Sequence, residues 1–333
     1  MMEIFGIPIK TGKKIHQQIL VGELANGSPV YIPFMAVRGN LPGPVLWMCG
    51  AVHGDELNGI FAMRNIYLKM RPEEVKGSLV FTPILNPIAF AERRQVCFLD
   101  LLDMDSRFPG KADGQITERI AFQVFSEIKR IANAVINFHT WGPGNSSSPY
   151  TLSKIPTETN PEIVEKSFHM ALSFGVKLNC RINLGTTEEK SPEVAGGKLD
   201  TTCIKHDIPA FMAEMGVGGR WEDPNVAIAQ KGIYNVMQFL GIKEGDPEVS
   251  GEQIIIPRRK FLRNTRGGLL EVLVQPGDVV RKGEVCARVL NMWDILEELR
   301  AEEDMYMIGV RANPVVSSGE RIGIGGVDYY AIN

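Results

Sequence analysis

The chain has 333 residues, 44% hydrophobic and 23% charged, a globular composition that excludes wholesale disorder and a fibrous repeat. Lysine and arginine number 36 against 39 aspartates and glutamates, so the net charge of −3 offers no basic field for nucleic acid. No apolar run approaches the ~20 residues that cross a bilayer, and no signal peptide is visible at the start. Cys49, Cys97, Cys180, Cys203 and Cys286 are scattered and never form a C-x-x-C pair. They read as reduced, buried thiols of a cytoplasmic protein, not as a disulfide framework or a cysteine zinc site.

At ~100–200 residues per domain, the length suits one large domain and a smaller one. Up to residue 40 the chain reads as β-structure, with a strand over 30–37 stopped by Leu41-Pro42-Gly43-Pro44. The continuous apolar run over 45–52 predicts a strand buried on both faces. Helical spacing follows over 56–70, then another buried strand over 78–85 that ends at Asn86-Pro87. A helix is expected over 117–131 with Thr117 as its N-cap, and a short strand over 134–138 delivers His139. Helix 161–174, strand 208–215 and helix 225–240 continue the alternation. The pattern predicts an α/β fold, a mixed and mostly parallel sheet flanked by helices. Beyond Gly245-Asp246-Pro247, short strands over 269–274, 285–290 and 305–310 alternate with glycine turns. The expected domains are therefore 1–245, α/β, and 246–333, all-β.

Five histidines in this length make their placement informative. His53 ends the strand over 45–52, and strand carboxyl ends are where sites form in open α/β sheets. Glu56 stands three residues on across a strand-to-helix turn, so both side chains can face one ion. His139 ends a second buried strand. Two imidazoles and a carboxylate with a free coordination position suit a catalytic zinc, Zn2+, better than a closed structural one. The alternative is a pair of structural sheet-end histidines beside a chance H-x-x-E. Zinc hydrolysis also needs a proton shuttle that is not a ligand. Glu214, an acid closing an apolar strand, is the best candidate, with a structural hydrogen-bond role as its alternative. His169 and His206 read as structural or exposed. The loop 141–148, and Arg220 and Trp221, are weaker candidates for the rim.

Five blocks occur in order: Gly50-Ala51-Val52-His53-Gly54-Asp55-Glu56-Leu57-Asn58-Gly59, Asn86-Pro87-Ile88-Ala89-Phe90, Phe108-Pro109-Gly110, Asn137-Phe138-His139-Thr140 and Ala213-Glu214-Met215-Gly216. Together they resemble the succinylglutamate desuccinylase/aspartoacylase family, within the zinc carboxypeptidase-like clan, over residues 40–240. The resemblance implies a zinc-bound water attacking the amide of an N-acylated amino acid, with one zinc per subunit. It makes His53, Glu56 and His139 the ligands and Glu214 the general base and acid. Residues 269–290 resemble half of a biotinyl/lipoyl-like hammerhead, but no lysine sits at its tip, so cofactor carriage is not expected.

The chain departs from the family where a substrate carboxylate is usually held. Against the pattern Asp-Leu-Asn-Arg-x-Phe-Pro-Gly, Asp105 takes the place of Asn and Ser106 that of Arg. The family's other arginine falls on Gln95. Either a one-residue slip lets Arg94 and Arg107 clamp the substrate, or the clamp is lost. In the second case Asp105 would repel an anion by about 4 kcal/mol at ~4 Å and an effective dielectric of ~20, favouring a neutral or cationic amino-acid end. The expected function is deacylation of a small N-acyl amino acid, with no nucleic-acid or membrane partner. A zinc carboxypeptidase acting on short peptides, a non-catalytic zinc or small-molecule binding protein, and assembly into a homo-oligomer through exposed β-edges stay open.

Overall fold

A computed structural model describes residues 2–185, 197–249 and 251–332 of the chain. Its centre is a ten-stranded sheet whose strands, in chain order, are β1 (Lys13–Glu23), β2 (Pro29–Arg38), β3 (Leu41–Cys49), β4 (Lys76–Thr82), β5 (Ala134–Trp141), β6 (Tyr150–Ile155), β7 (Leu178–Asn183), β8 (Ala210–Val217), β9 (Gln253–Ile256) and β10 (Tyr330–Ile332). Their spatial order is β10-β9-β7-β6-β8-β5-β3-β4-β2-β1. The run β8-β5-β3-β4 is parallel, as are β6-β7-β9. Antiparallel pairs join β6 to β8 and add β2, β1 and β10 at the edges. The mixed, mostly parallel sheet expected from the alternation is what forms.

Both faces of the sheet are covered, which is why β3, β5 and β8 are largely apolar up to their carboxyl ends. All eight residues of β5 are buried. Within β3, Trp47 and Cys49 join a core with the helix Ile116–Ile131, while Leu46 and Met48 join a core with the helices Asn58–Lys69 and Asp223–Phe239. Strand period 2 thus sorts neighbouring residues to opposite helical layers. All five cysteines are buried and none is in a disulfide, as expected of inert thiols. Among the described residues no helix is long and apolar enough to cross a membrane.

The chain after 245 does two things. It supplies β9 and β10 to the central sheet, and it builds two antiparallel sheets. One contains Arg258–Arg263, Arg321–Val327, Met305–Arg311 and Val279–Val280; the other contains Gly268–Val272, Val285–Leu290, Ile295–Arg300 and Val315–Val316. A third core, with Trp141, Tyr150, Ile182, Tyr306 and Ile324, joins the first of these sheets to the central one.

Several boundaries and strands differ from expectation for identifiable reasons. The helix expected to start at Thr117 starts at Ile116, capped by Gln115, whose N–H donates to Glu118 at 3.2 Å. Thr117 instead donates its backbone and hydroxyl hydrogens to Asp100, both at 3.0 Å. The strand read over 45–52 ends at Cys49, because the chain turns out of the sheet at Ala51, which has φ 44°. Strands β6 and β7 have no counterpart in the sequence reading. β6 lies deep in the sheet yet buries Thr151, Ser153 and Lys154, so it carries no apolar run.

Candidate active site

The candidate site lies at the carboxyl ends of β3, β5 and β8. After Cys49 the loop 50–57 is pinned on all sides. Gly50 N–H donates to the Thr82 carbonyl, Leu85 N–H to that of Gly50 and Asn86 N–H to that of Ala51, at 2.9–3.1 Å. Asn86 also caps the helix Pro87–Glu92 by accepting from Ala89 N–H at 3.1 Å, and donates to the Val52 carbonyl at 3.3 Å. Gly54 is required by close approach: a Cβ there would sit 2.1 Å from the Ala89 carbonyl carbon. The Asn-Pro and Gly-x-x-His-Gly blocks are thus one structural unit that fixes His53 and Glu56.

His53, Glu56 and His139 are all buried, at 7%, 6% and 3% exposure. Glu56 Oε1 is 2.9 Å from His53 Nδ1, and Glu56 Oε2 is 2.9 Å from His139 Nδ1. One donor atom from each of the three lies within 4.8 Å of the others. Negative charge behind the rings sets their protonation. Against the opposing effect of burial, Glu56 and Asp103 raise the His53 pKa well above its ordinary value, and Glu56 and Asp105 raise that of His139. The two imidazoles in turn overcome burial at Glu56 and lower its pKa to about 2.

A divalent cation fits this constellation on the structure's own terms. Glu56 Oε2 is buried without a well-formed hydrogen bond, and both Nδ1 atoms face the same carboxylate. The outer ring nitrogens already have partners. His53 Nε2 lies 3.0 Å from Asp103 Oδ1, and His139 Nε2 lies 2.9 Å from the Asn137 amide and 3.8 Å from Asp105 Oδ1. Such outer contacts fix the tautomer of a metal-bound histidine. A proton on His139 Nε2 needs the Asn137 amide turned to present Oδ1, the very atom that is otherwise buried without a partner.

Glu214 is paired in register with His139 on β8, so the two side chains share one level of the sheet. Its Oε2 is also buried without a hydrogen-bond partner. Burial raises the Glu214 pKa, the charge of Glu56 adds to this, and His139 and Arg259 oppose it.

These groups line a cleft of about 640 Å³. Its opposite wall comes from the β-rich C-terminal part, which contributes Arg259, Phe261 and Arg321. The Arg321 guanidinium lies 5.6 Å from the Trp141 ring and 5.7 Å from the Phe261 ring, and among the described residues it forms no ion pair. Tyr150 lines the cleft too, and its hydroxyl accepts the Trp141 indole N–H at 3.1 Å. None of these carries a sequence signal, because no motif separates them from other strand residues.

The substrate residues suggested by the sequence divide differently. Arg94 and Arg107 are exposed and neither lines the cleft, whereas Gln95 does. Asp105 lies in the cleft wall but is 1% exposed, and its Oδ2 is 3.0 Å from Lys198 Nζ. That ion pair offsets the charge expected to repel an anionic substrate. Trp141, Gly142 and Asn145 of the loop 141–148 do line the cleft. Arg220 pairs with Glu222 and Trp221 stacks on Phe61, away from it. His169 is exposed, and His206 Nδ1 lies 2.9 Å from the Thr202 carbonyl.

Comparison with known proteins agrees with this architecture. The N-α-acetyl-L-2,4-diaminobutyric acid deacetylase of Halomonas elongata is 28% identical over 303 residues, covering 89% of this chain and 85% of its own. A succinylglutamate desuccinylase from Silicibacter sp. TM1040 superposes with a TM-score of 0.85 at 24% identity, covering 96% of this chain and 97% of its own. The product-bound ectoine utilization protein EutE (DoeB) from Ruegeria pomeroyi gives the same TM-score, identity and coverage. At that identity the two superpositions speak to the fold. The model of the succinylglutamate desuccinylase/aspartoacylase catalytic domain matches residues 42–240, and by that match the chain belongs to this family.

Proposed function

We propose that this chain is a zinc-dependent hydrolase that cleaves the amide bond of a small N-acylated amino acid, with one zinc held by His53, Glu56 and His139. The observation that carries this reading is the convergence of two imidazole Nδ1 atoms and one carboxylate on the floor of a cleft that Glu214 also lines. Family membership supports the reaction class. The name of the Halomonas elongata relative supplies the first substrate to try, N-α-acetyl-L-2,4-diaminobutyrate.

Bound zinc at such a site lowers the pKa of water towards ~7 and polarises a carbonyl. The chain's own residues do the rest. Glu214, with a raised pKa and an unpartnered buried oxygen, takes a proton from the attacking water and returns it to the leaving amine. Asp103 and Asn137 hold the two imidazoles by their outer nitrogens. Arg321, braced by two aromatic rings, receives the substrate carboxylate in place of the family's Asn-Arg clamp.

The test is release of free acid from N-acetyl and N-succinyl amino acids with anionic, neutral and cationic side chains, with chelator and zinc add-back. Chelator-sensitive turnover of a subset establishes the proposal. Release of amino acids from dipeptides instead marks a peptidase, and silence across the panel from zinc-loaded protein marks a binding protein.

A further inference from the structure

Two carboxylates stand behind the histidines, and each is used twice. Asp103 turns Oδ1 to His53 Nε2 at 3.0 Å, and Asp105 turns Oδ1 towards His139 Nε2 at 3.8 Å, an electrostatic contact rather than a hydrogen bond. Their other oxygens point to one ammonium group: Lys198 Nζ lies 3.0 Å from Asp105 Oδ2 and 4.0 Å from Asp103 Oδ2. Lys198 stands at the N-cap of the short helix Leu199–Lys205, and its side chain is 13% exposed. The remaining capacity of the two acids is filled locally, by Asp105 N–H at 3.0 Å and the Ser106 hydroxyl at 3.3 Å on Asp103, and by Leu199 N–H at 3.5 Å on Asp105.

We propose that Lys198 is a positioning residue of the metal site: by bridging Asp103 and Asp105 it holds the carboxylate behind each histidine and so sets how tightly the site binds zinc. The inference rests on the zinc reading above. The physical logic is that of a buried ion pair. Two acids two residues apart repel each other, and Asp105, at 1% exposure, has no solvent to screen it. A cation shared between them removes the repulsion and leaves their Oδ1 atoms aimed at the rings. The departure at position 105 and the lysine at 198 are then one feature, an acid and the cation that makes it tolerable. Lys154, 2.9 Å from Asp200 and also in the cleft wall, extends the same alternation of charge but reaches neither histidine.

The deciding experiment measures zinc affinity by competition with a chromophoric chelator in wild type, K198M, K198R and D105N/K198M, together with KM and kcat at saturating zinc. K198M is expected to bind zinc about 10–100-fold more weakly, the usual cost of losing outer-shell support. K198R should stay close to wild type, and D105N/K198M should recover much of the loss because no buried charge is orphaned. A single variant that fails to fold while the double variant folds supports the same pairing. Unchanged zinc affinity in K198M, with only KM raised, would make Lys198 a substrate ligand and overturn the inference. A double variant no better than K198M would overturn it as well. Wild-type protein without zinc affinity would instead remove the proposed function itself.

Discussion

The two walls of the cleft are built in opposite ways. One is the rim of a parallel sheet, where β3, β5 and β8 end in buried residues whose backbones are fixed by glycines and carbonyl hydrogen bonds. The other is the face of an antiparallel sheet, where Arg259, Phe261 and Arg321 project from regular strands. A polar side chain on the first wall is anomalous in its sequence context, since it interrupts an apolar run beside a glycine. On the second wall one strand, Arg258–Arg263, carries four basic residues among six, so a functional arginine looks like its neighbours. Chemistry placed at the ends of buried strands announces itself; chemistry placed among other basic residues does not.

The sharpest way to break this contrast is to remove the first wall. His53→Ala or His139→Ala should abolish zinc binding and turnover together, read by metal content after dialysis and by acid release. Glu214→Gln should keep the metal and lose ~10²–10⁴-fold in kcat, as expected for general acid–base help. Because Glu214 has a raised pKa and must be deprotonated to act, the acidic limb of kcat/KM should lie above the ordinary glutamate range. Full activity in the glutamine variant would end the assigned role. On the second wall, Arg321→Ala should raise KM by about 10–100-fold with kcat little changed, the worth of one charge-assisted hydrogen bond of ~1.5–3 kcal/mol. An unchanged KM would leave the arginine wall without a substrate. Gly54→Ala tests the scaffold, not the chemistry: overpacking against the Ala89 carbonyl should cost ~1–3 kcal/mol of stability by denaturant melt. Smallest of all, Arg94→Ala and Arg107→Ala should leave KM within about twofold, since exposed charges outside the cleft lining contribute little.

Legibility in the sequence followed the same physical line. The apolar run that became β5, and the strand of Glu214, could be read because burial on both faces leaves only apolar residues until the site begins. His53, Glu56, His139 and Glu214 all line the cleft. β6 was opaque because polar groups interrupt it, two of them paired with distant partners: Thr151 donates to Asn179 at 2.6 Å and Lys154 to Asp200 at 2.9 Å. That Arg94 and Arg107 lie outside the cleft lining was hidden for a related reason. The Phe-Pro-Gly block fixes only the backbone, through Phe108 N–H to the Gly197 carbonyl at 2.9 Å, and says nothing of which way a neighbouring arginine faces.

The strand Asn145–Ser147, six residues beyond His139 in the chain, pairs with Met305–Arg311 of the C-terminal part across three register positions. Gly309 of that strand leaves the space the Trp141 ring fills, since a Cβ there would sit 2.5 Å from it. The two walls are therefore sewn together within a few residues of a candidate ligand. A rigid-body gape of the cleft would have to unzip that seam and eject an indole from its seat, so the mechanics favour entry by rotation of side chains over hinging of domains.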